Sequence, residues 1–370
     1  MAIFQPGSGV KFRATLIFLA VFVLLLGPAL AEETPEEWQP SVPMPDKFDW
    51  IQLKSDEWLK GEIISMYEEV LEFDSDELDD LTLDWEDVKQ IRSARIMQVR
   101  FLGNVIAIGK LHIEGDKVRV IGEQDQEFER SQVLTITAGE PKESNYWKGK
   151  FSIGISVQQG NVDQVDVNSK ANFKRRTVKN RIILDYIANY GRVEDQDTAD
   201  NQRVSITWDR FITDRFFTKP VALEYYRDPF QNIGSRTTLT IGAGYQLIDT
   251  KKTDWQVSGG PGYQQTQFDD VVAGEDDSEE TPALTVGTIF DTELTRTVDF
   301  IYEYRFQLTS EAAGSYNHHM VMTVETEWTK HLDFDVSLVW DRTQDPRQNS
   351  DGSFPEQDDY RAIISLGWDF

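Results

Sequence analysis

Residues 146–370 alternate apolar and polar side chains over stretches that are longer than the strands of most soluble proteins. One stretch has apolar positions at Val298, Phe300, Tyr302, Tyr304, Phe306 and Leu308, with Asp299, Glu303, Arg305 and Gln307 among the residues between them. A period of two indicates a β-strand with one apolar and one polar face. Strands of soluble sandwiches have about five or six residues, whereas stretches of about ten residues suit a tilted strand that crosses a membrane.

Twelve such segments can be delimited, and the connections between them alternate between short and long. The segments are 146–158, 163–176, 180–191, 202–212, 215–227, 236–249, 253–267, 282–293, 296–309, 315–328, 331–342 and 358–370. The longer connections include Arg192–Asn201, Phe268–Thr281 and Thr343–Gln357. An even number of strands with short periplasmic turns and longer outer loops is typical of bacterial transmembrane barrels. The sequence therefore predicts an all-β chain with an antiparallel transmembrane β-barrel of about 12 strands.

Aromatic residues lie near the ends of the predicted barrel strands. The expected periplasmic girdle consists of Trp147, Phe173, Phe211, Trp255, Phe290, Phe300, Trp328 and Phe334. The chain ends in Trp368-Asp369-Phe370 on an alternating strand. Trp368 and Phe370 resemble the C-terminal signal that outer-membrane assembly machinery recognises, and we expect that machinery and outer-membrane lipid to be partners of the chain.

The N-terminus has the organisation of a signal peptide. Lys11 and Arg13 precede an apolar run that ends at Gly27-Pro28, and Ala29-Leu30-Ala31 follows as a cleavage site. We predict a signal peptide at 1–31 and a Glu/Pro-rich linker at 32–46. Removal of the two basic residues takes the net charge from −27 to −29, and this acidity argues against nucleic acid as a partner. The chain has no cysteine, which excludes a lipid anchor on cysteine and disulfides.

Residues 47–140 contain shorter alternating stretches and a weak internal repeat. Gly61 corresponds to Gly109 and Val88 corresponds to Val133 in two units of roughly 45 residues, a length at which sequence repeats reflect repeated structural units. We predict a small periplasmic β-domain made of two SH3-like units. Two roles stay open for this domain, either a binding module or a spacer that packs under the barrel.

Polar side chains of the barrel strands are expected to line its lumen. Strands one to three of the barrel supply Lys148, Lys150, Lys170, Lys174 and Arg181. Strands nine to twelve supply Asp299, Glu303, Glu325, Glu327, Asp333, Asp335, Asp341 and Asp369. Because closure places the first strand beside the twelfth, a basic wall would meet an acidic one. This arrangement predicts either an ion-pair network that plugs the barrel or a narrow polar pore.

Evidence for catalysis or metal binding is weak in this sequence. His318 and His319 lie near the outer end of the tenth barrel strand, where an outer-membrane hydrolase could have its site, but no nucleophile motif accompanies them. Adjacent strand residues point to opposite faces, so only one of the two could enter such a site. The acidic run from Glu275 to Glu280 lacks the spacing of a calcium loop. We expect neither an enzyme nor a cofactor nor a metal.

The order of features resembles one family, the salt-induced outer-membrane proteins, which is defined as a domain of unknown function. The resemblance covers roughly 145–370, through the opening segment Trp147–Gly154, the turn Gln159-Gly160-Asn161, Tyr245 on a Gly-rich strand and the aromatic ending. It implies an outer-membrane β-barrel and no catalytic motif.

The most consistent interpretation is an outer-membrane barrel with a structural or small-solute channel role in the cell envelope, with residues 47–140 in the periplasm. The alternatives are an outer-membrane hydrolase with a rim site near His318 or His319, and a soluble periplasmic β-protein. The sequence does not indicate an oligomeric state.

Overall fold

The computed structural model describes residues 47–139, 143–159, 164–193 and 196–370. The predicted signal peptide and linker, 1–46, lie outside the described residues. No helix in the part of the chain that the structure describes is long and apolar enough to cross a membrane. The described chain forms two sheets, one in the N-terminal domain and one in residues 147–369.

The N-terminal domain is a sheet of nine antiparallel strands. The strands are β1 (Asp49–Leu53), β2 (Trp58–Tyr67), β3 (Val70–Ser75), β4 (Asp79–Asp84), β5 (Val88–Phe101), β6 (Val105–Glu114), β7 (Lys117–Ile121), β8 (Gln126–Glu129) and β9 (Val133–Ala138). They follow the order β4-β3-β2-β1-β5-β6-β7-β8, and β9 returns to pair with β2 and β5. This return brings the end of the domain back against its first half.

Two successive parts of the domain have the same order of elements. β2, β3 and β4 are followed by a one-turn 3-10 helix at Trp85–Asp87 and by β5, and β6, β7 and β8 are followed by a 3-10 helix at Arg130–Gln132 and by β9. Gly61 and Gly109 lie where a Cβ atom would collide with the backbone of the adjacent strand. Both units contribute to one hydrophobic core, from Ile51 in β1 to Ile136 in β9, so they fold as a single domain.

Residues 147–369 form a closed barrel of twelve antiparallel strands in which each strand pairs with the next in sequence. The strands are β10 (Trp147–Gln159), β11 (Gln164–Arg176), β12 (Asn180–Val193), β13 (Gln196–Phe211), β14 (Phe216–Asp228), β15 (Ile233–Asp249), β16 (Thr253–Phe268), β17 (Ser278–Thr295), β18 (Val298–Leu308), β19 (Tyr316–Thr329), β20 (Leu332–Thr343) and β21 (Asp358–Asp369). The pairing of β10 with β21, from Lys150 opposite Asp369 to Gln159 opposite Tyr360, closes the barrel. The predicted fold class and strand number are confirmed.

The alternation along each strand separates the outer surface from the lumen. On β21, Ile364 and Trp368 are each 54% exposed, whereas Ile363 between them is 2% exposed and points inward. Exposed apolar side chains cover the outside of all the strands, and unsatisfied backbone groups are avoided because the sheet has no edge. An apolar outer surface on a closed barrel fits the hydrocarbon of a bilayer, which places this protein in the outer membrane.

Two expectations about the barrel are changed by the structure. The long connection expected at Arg192–Asn201 is largely strand, because β12 and β13 continue to pair as far as Val193 opposite Gln196. Phe211, expected in the lipid-facing girdle, instead lies beneath the guanidinium of Arg100 in the N-terminal domain, 4.8 Å from its ring centre. Phe211 has the same parity along β13 as Ser205 and Asp209, which are 6% and 1% exposed, so the two-residue period itself places Phe211 on the inner side of the strand.

The N-terminal domain contacts the short turns at one end of the barrel. The Tyr67 hydroxyl donates to the backbone oxygen of Arg176, 2.8 Å away, and Gly103 N–H donates to the Asp214 carboxylate at 3.1 Å. Lys251 in the turn after β15 forms ion pairs with Asp84 and Glu86. Since short turns lie on the periplasmic side of such barrels, the domain lies in the periplasm.

Candidate functional site

Polar side chains that point inward from the barrel strands form the candidate site. At the periplasmic level of the lumen, Lys150 of β10 extends toward strands β19 and β20. Its ammonium nitrogen lies 2.5 Å from a Glu325 oxygen, 2.9 Å from Asp333 and 3.1 Å from Asp335. The Ser152 hydroxyl donates to Asp335 at 3.2 Å, and Asp369 pairs in register with Lys150 on the adjacent strand. The structure thus brings one basic residue of the first strand against four predicted acidic residues.

The other predicted basic residues occupy separate positions. Lys148 lies at the periplasmic mouth and forms an ion pair with Glu72 of the N-terminal domain. Arg181 is buried, donating to Asp209 at 2.7 Å and to the Gln256 side chain at 2.6 Å. Lys170 and Lys174 are half-buried on β11. These four residues do not meet the acidic residues of β19 to β21 in any contact of the described chain.

The remaining predicted acidic residues lie at different heights. Asp299 and Glu303 are half-buried on β18, and Glu327 is exposed near the periplasmic end of β19. Asp341 is 3% exposed and lies toward the outer end of β20, away from the Lys150 cluster. Asp341 contacts two arginines and a histidine, Arg203, Arg361 and His319. Its surroundings therefore belong to a second polar layer.

That second layer, which we call the outer layer, consists of Arg203, Glu224, Arg236, Arg305, Asp341 and Arg361. Arg203 of β13 reaches across the lumen to Asp341 of β20 at 2.8 Å and also contacts Glu224 of β14 at 3.0 Å. Arg305 of β18 pairs with the same Glu224. Arg361 joins Asp341 to Asn201 of β13. These bonds connect opposite walls of the barrel.

Sequence reasoning did not select the arginines of the outer layer. Arg305 and Arg361 project inward from strands that also supply the acidic residues, so charge is not separated by strand at this level. Their alternation with lipid-facing residues was a usable signal for lumen exposure. Their partners were not predictable, because contacts across the lumen join strands that are far apart in the sequence.

An apolar patch separates the two polar layers on one wall of the lumen. Val321 of β19, Val339 of β20 and Ile363 of β21 are 8%, 0% and 2% exposed, and Ile187 of β12 packs against them. Water and ions pass a tight apolar constriction poorly because it offers no hydrogen bonds to replace hydration. The lumen is therefore charged near both ends and apolar on one wall between them.

His318 and His319 lie on opposite faces of β19, as strand geometry requires. His318 points outward and is surrounded by aromatic rings, with Trp340 stacked 5.2 Å away and the Tyr304 hydroxyl 2.7 Å from its Nδ1. His319 points inward, and its Nδ1 lies 2.7 Å from Asp341. The described contacts of these histidines include no serine or threonine hydroxyl. A histidine–carboxylate pair is present, but no nucleophile is hydrogen-bonded to it.

The outer connections of the barrel are joined by specific contacts. Asn232, which is 1% exposed, accepts hydrogen bonds from the backbone of Asp269 at 3.1 Å and Asp270 at 2.7 Å, and it donates to the Arg347 carbonyl at 3.3 Å. Arg347 pairs with Glu275 at 2.6 Å. The connections at 229–232, 269–277 and 344–357 are thereby held together above the outer layer.

Comparison with solved structures finds barrels of outer-membrane proteins. A KdgM porin in complex with disordered oligogalacturonate is 8% identical over 60% of this chain and 99% of its own, with a TM-score of 0.34. The COG4313 outer membrane channel from Pseudomonas putida F1 is 7% identical over 62% of this chain and 100% of its own, with a TM-score of 0.34. Omp33 of Acinetobacter baumannii is 9% identical over 60% and 98%, with a TM-score of 0.30.

With identities of 7–9% and TM-scores of 0.30–0.34, these structures identify no solute for the lumen of the present barrel. No curated protein sequence matches the chain. Residues 151–370 match the family described as "Protein of unknown function, DUF481".

Proposed function

The chain belongs to the DUF481 family, whose description gives no activity, and we propose from the lumen that it forms a narrow polar passage for ions and small solutes. The passage is closed in this conformation. The observation that carries the proposal is the cross-lumen bridge of Arg203, which connects β13 to Asp341 on β20 and to Glu224 on β14. Ion pairs can be exchanged for water and ions, so such a closure is reversible.

Two features keep the passage closed. In the outer layer, Glu224 and Asp341 are 6% and 3% exposed and are shared among three arginines. The apolar patch around Val339 narrows the lumen on the periplasmic side of the outer layer. Opening requires both the separation of Arg203 from its partners and the hydration of the patch.

Conductance of the purified protein in planar bilayers tests this proposal. The wild-type protein is expected to show rare, small openings, and Arg203→Gln is expected to raise the open probability about tenfold, since a charge-assisted hydrogen bond contributes about 1.5 kcal/mol and 1.4 kcal/mol is a factor of ten. Glu224 and Asp341 keep Arg305 and Arg361 as partners in this variant.

The matched control is Arg227→Gln. Arg227 points outward from β14 and pairs with Asp200, so its removal should leave conductance unchanged. Heat-modifiable gel mobility shows that each variant is folded. Folded wild-type and Arg203→Gln proteins that both never conduct would contradict the passage.

A second function is favoured by the contacts of the N-terminal domain, namely that the barrel anchors this domain beneath the outer membrane. Tyr67, Arg100, Gly103 and the acidic pair Asp84 and Glu86 all contact the barrel. An anchor needs no conductance, and the absence of conductance in every folded variant would support it over the passage.

The resemblance to salt-induced outer-membrane proteins supports a narrower proposal about regulation. We propose that synthesis of this protein rises with external salt. Quantitative immunoblotting of cells grown with and without added sodium chloride measures this directly, and an equal amount of protein in both cultures would reject it.

A further inference from the structure

Arg236 on β15 is a buried guanidinium without a carboxylate partner. Its side chain is 5% exposed, and its hydrogen bond runs from Nη1 to the Asn317 Oδ1 atom of β19, 3.2 Å away. The Nε atom has no hydrogen-bond partner. Within the described residues, no acidic oxygen lies within ion-pair distance of Arg236. A buried charge without a partner is strongly unfavourable, so the site favours an anion that the chain itself does not supply.

The nearby carboxylates already have other partners, and one of them, Asp228, accepts hydrogen bonds from the Tyr226 hydroxyl and the Phe230 N–H. Arg203 and Arg305 share Glu224, and Arg361 pairs with Asp341. Asp341 also contacts Arg203 and His319. Arg236 therefore adds a positive charge to a layer whose acidic groups are engaged elsewhere.

A second buried donor lies beside Arg236. Asn317 is 7% exposed, and while its Oδ1 accepts the bond from Arg236, its Nδ2 has no hydrogen-bond partner. Arg236 and Asn317 line a cavity of about 20 Å³ together with Arg203, Arg305, Gln307 and His319. A cavity of this size holds a group about as large as one water molecule, such as one oxygen atom of an anion. Two residues that each have an unsatisfied donor thus line the same small cavity.

We propose that this cavity is a binding site for a small oxyanion, such as a carboxylate or inorganic phosphate. The Nε edge of a guanidinium presents two parallel N–H groups when it binds a carboxylate or phosphate. With Nη1 held by Asn317, that edge of Arg236 is available to the anion, and Asn317 Nδ2 supplies a further donor. Binding requires the site to be formed but does not require the barrel to conduct, so it is separate from the proposed passage.

Thermal unfolding of the full-length protein in detergent tests the site. Sodium acetate and sodium phosphate are compared with sodium chloride at equal ionic strength, because a ligand that binds only the folded state raises Tm. We expect one of the two oxyanions to raise the Tm of the wild-type protein, and which one does so identifies the ligand chemistry. Arg236→Gln should abolish the rise, and Arg227→Gln, which changes an outward-facing arginine on β14, should keep it.

Asn317→Asp provides a test that does not depend on the folding of Arg236→Gln. The new carboxylate would lie beside Arg236 and take the place of the anion. We expect a higher Tm than the wild-type protein in chloride and no further rise with acetate or phosphate. The proposal is overturned if neither oxyanion raises the wild-type Tm, or if Asn317→Asp or Arg236→Gln responds to the anion as the wild-type protein does.

Discussion

The carboxylate of Asp49 is fully buried in the N-terminal domain and joins three of its strands. It accepts hydrogen bonds from the backbone of Ile63 on β2 at 2.9 Å and of Ala94 on β5 at 2.8 Å. The Arg95 guanidinium donates to it at 2.9 Å. A buried carboxylate with this many donors is well satisfied. The stability that it contributes to the domain depends on every partner staying in place.

Asp49→Asn should therefore lower the free energy of unfolding of the N-terminal domain by about 3 kcal/mol, because it breaks a buried ion pair and replaces an acceptor by a donor facing backbone N–H groups. Urea-dependent proteolysis of the full-length protein measures this, since cleavage follows the population of the opened domain. Glu62→Gln removes the half-exposed second partner of Arg95 and should lower the free energy of unfolding much less than Asp49→Asn does. Equal losses in the two variants would contradict the role of Asp49.

The turn between β2 and β3 is the element that connects the domain to the periplasmic mouth of the barrel. Glu68 and Glu69 have left-handed backbone conformations, with φ of 52° and 62°. This tight turn directs Glu68 toward Arg176 at the end of β11, where the two form an ion pair. The Arg176 guanidinium also lies over the Tyr67 ring, 4.7 Å from its centre. Burial and this cation–π contact fix the turn against the barrel.

The pKa of Glu68 makes this docking sensitive to acid. Burial alone would raise that pKa, but the positive charges of Arg176 and Lys174 outweigh it and lower the pKa from 4.5 to about 2. A lowered carboxyl pKa stabilises the docked state above pH 4.5, and this stabilisation is lost as the pH falls toward 2. The docked domain should therefore become mobile on the barrel between these values.

Because the chain contains no cysteine, spin labels at Lys110→Cys in the domain and Lys330→Cys in the turn after β19 can report the docking. We expect a narrow distribution of label distances at pH 7 and a broad one near pH 3. Glu68→Gln should broaden the distribution at pH 7, whereas Glu69→Gln, which changes an exposed neighbour, should not. A distribution that is unchanged in Glu68→Gln would show that other contacts hold the domain.

At the scale of the whole molecule, the domain and the outer connections lie at opposite ends of the barrel. The N-terminal domain contacts the turns that contain Asp214 and Lys251. The connections joined by Asn232 and Arg347 lie at the other end of the strands. The lumen between them has a charged layer near each end. An anion site in the outer layer would consequently be closer to the cell exterior than to the domain.

Labelling of single cysteines in intact cells tests this orientation. Ser350→Cys, in the connection between β20 and β21, should react with a membrane-impermeant maleimide added outside the cell. Lys110→Cys should react only after the outer membrane is permeabilised. Reaction of Lys110→Cys in intact cells, together with protection of Ser350→Cys, would reverse the topology.

Much of the barrel was predictable from local pattern. Alternation at positions such as Ile364 and Trp368 depends only on the two-residue period of a strand, and it identified the twelve strands and their lipid-facing sides. The end of a strand is less well marked, since Val193 and Gln196 pair beyond the point where apolar alternation stops. Hydrogen bonding between backbones needs no particular side chain, so β12 and β13 continue into residues 192–201, which the sequence pattern assigns to a connection.

The composition and period of the sequence by themselves determined a closed β-barrel after a small β-domain, because strand alternation and the turns between neighbouring strands are local properties. Only the tertiary structure decided which charges meet. Arg203 forms an ion pair with Asp341, and Glu68 forms one with Arg176. Arg236 donates a hydrogen bond to Asn317 and forms no ion pair within the described residues. The contacts of Arg203 and Arg236 depend on the curvature of the closed sheet, and the contact of Glu68 depends on the docking of the N-terminal domain; both bring together side chains that are distant in sequence. Contacts across the lumen are a property of all twelve strands together, so no single segment could have shown them.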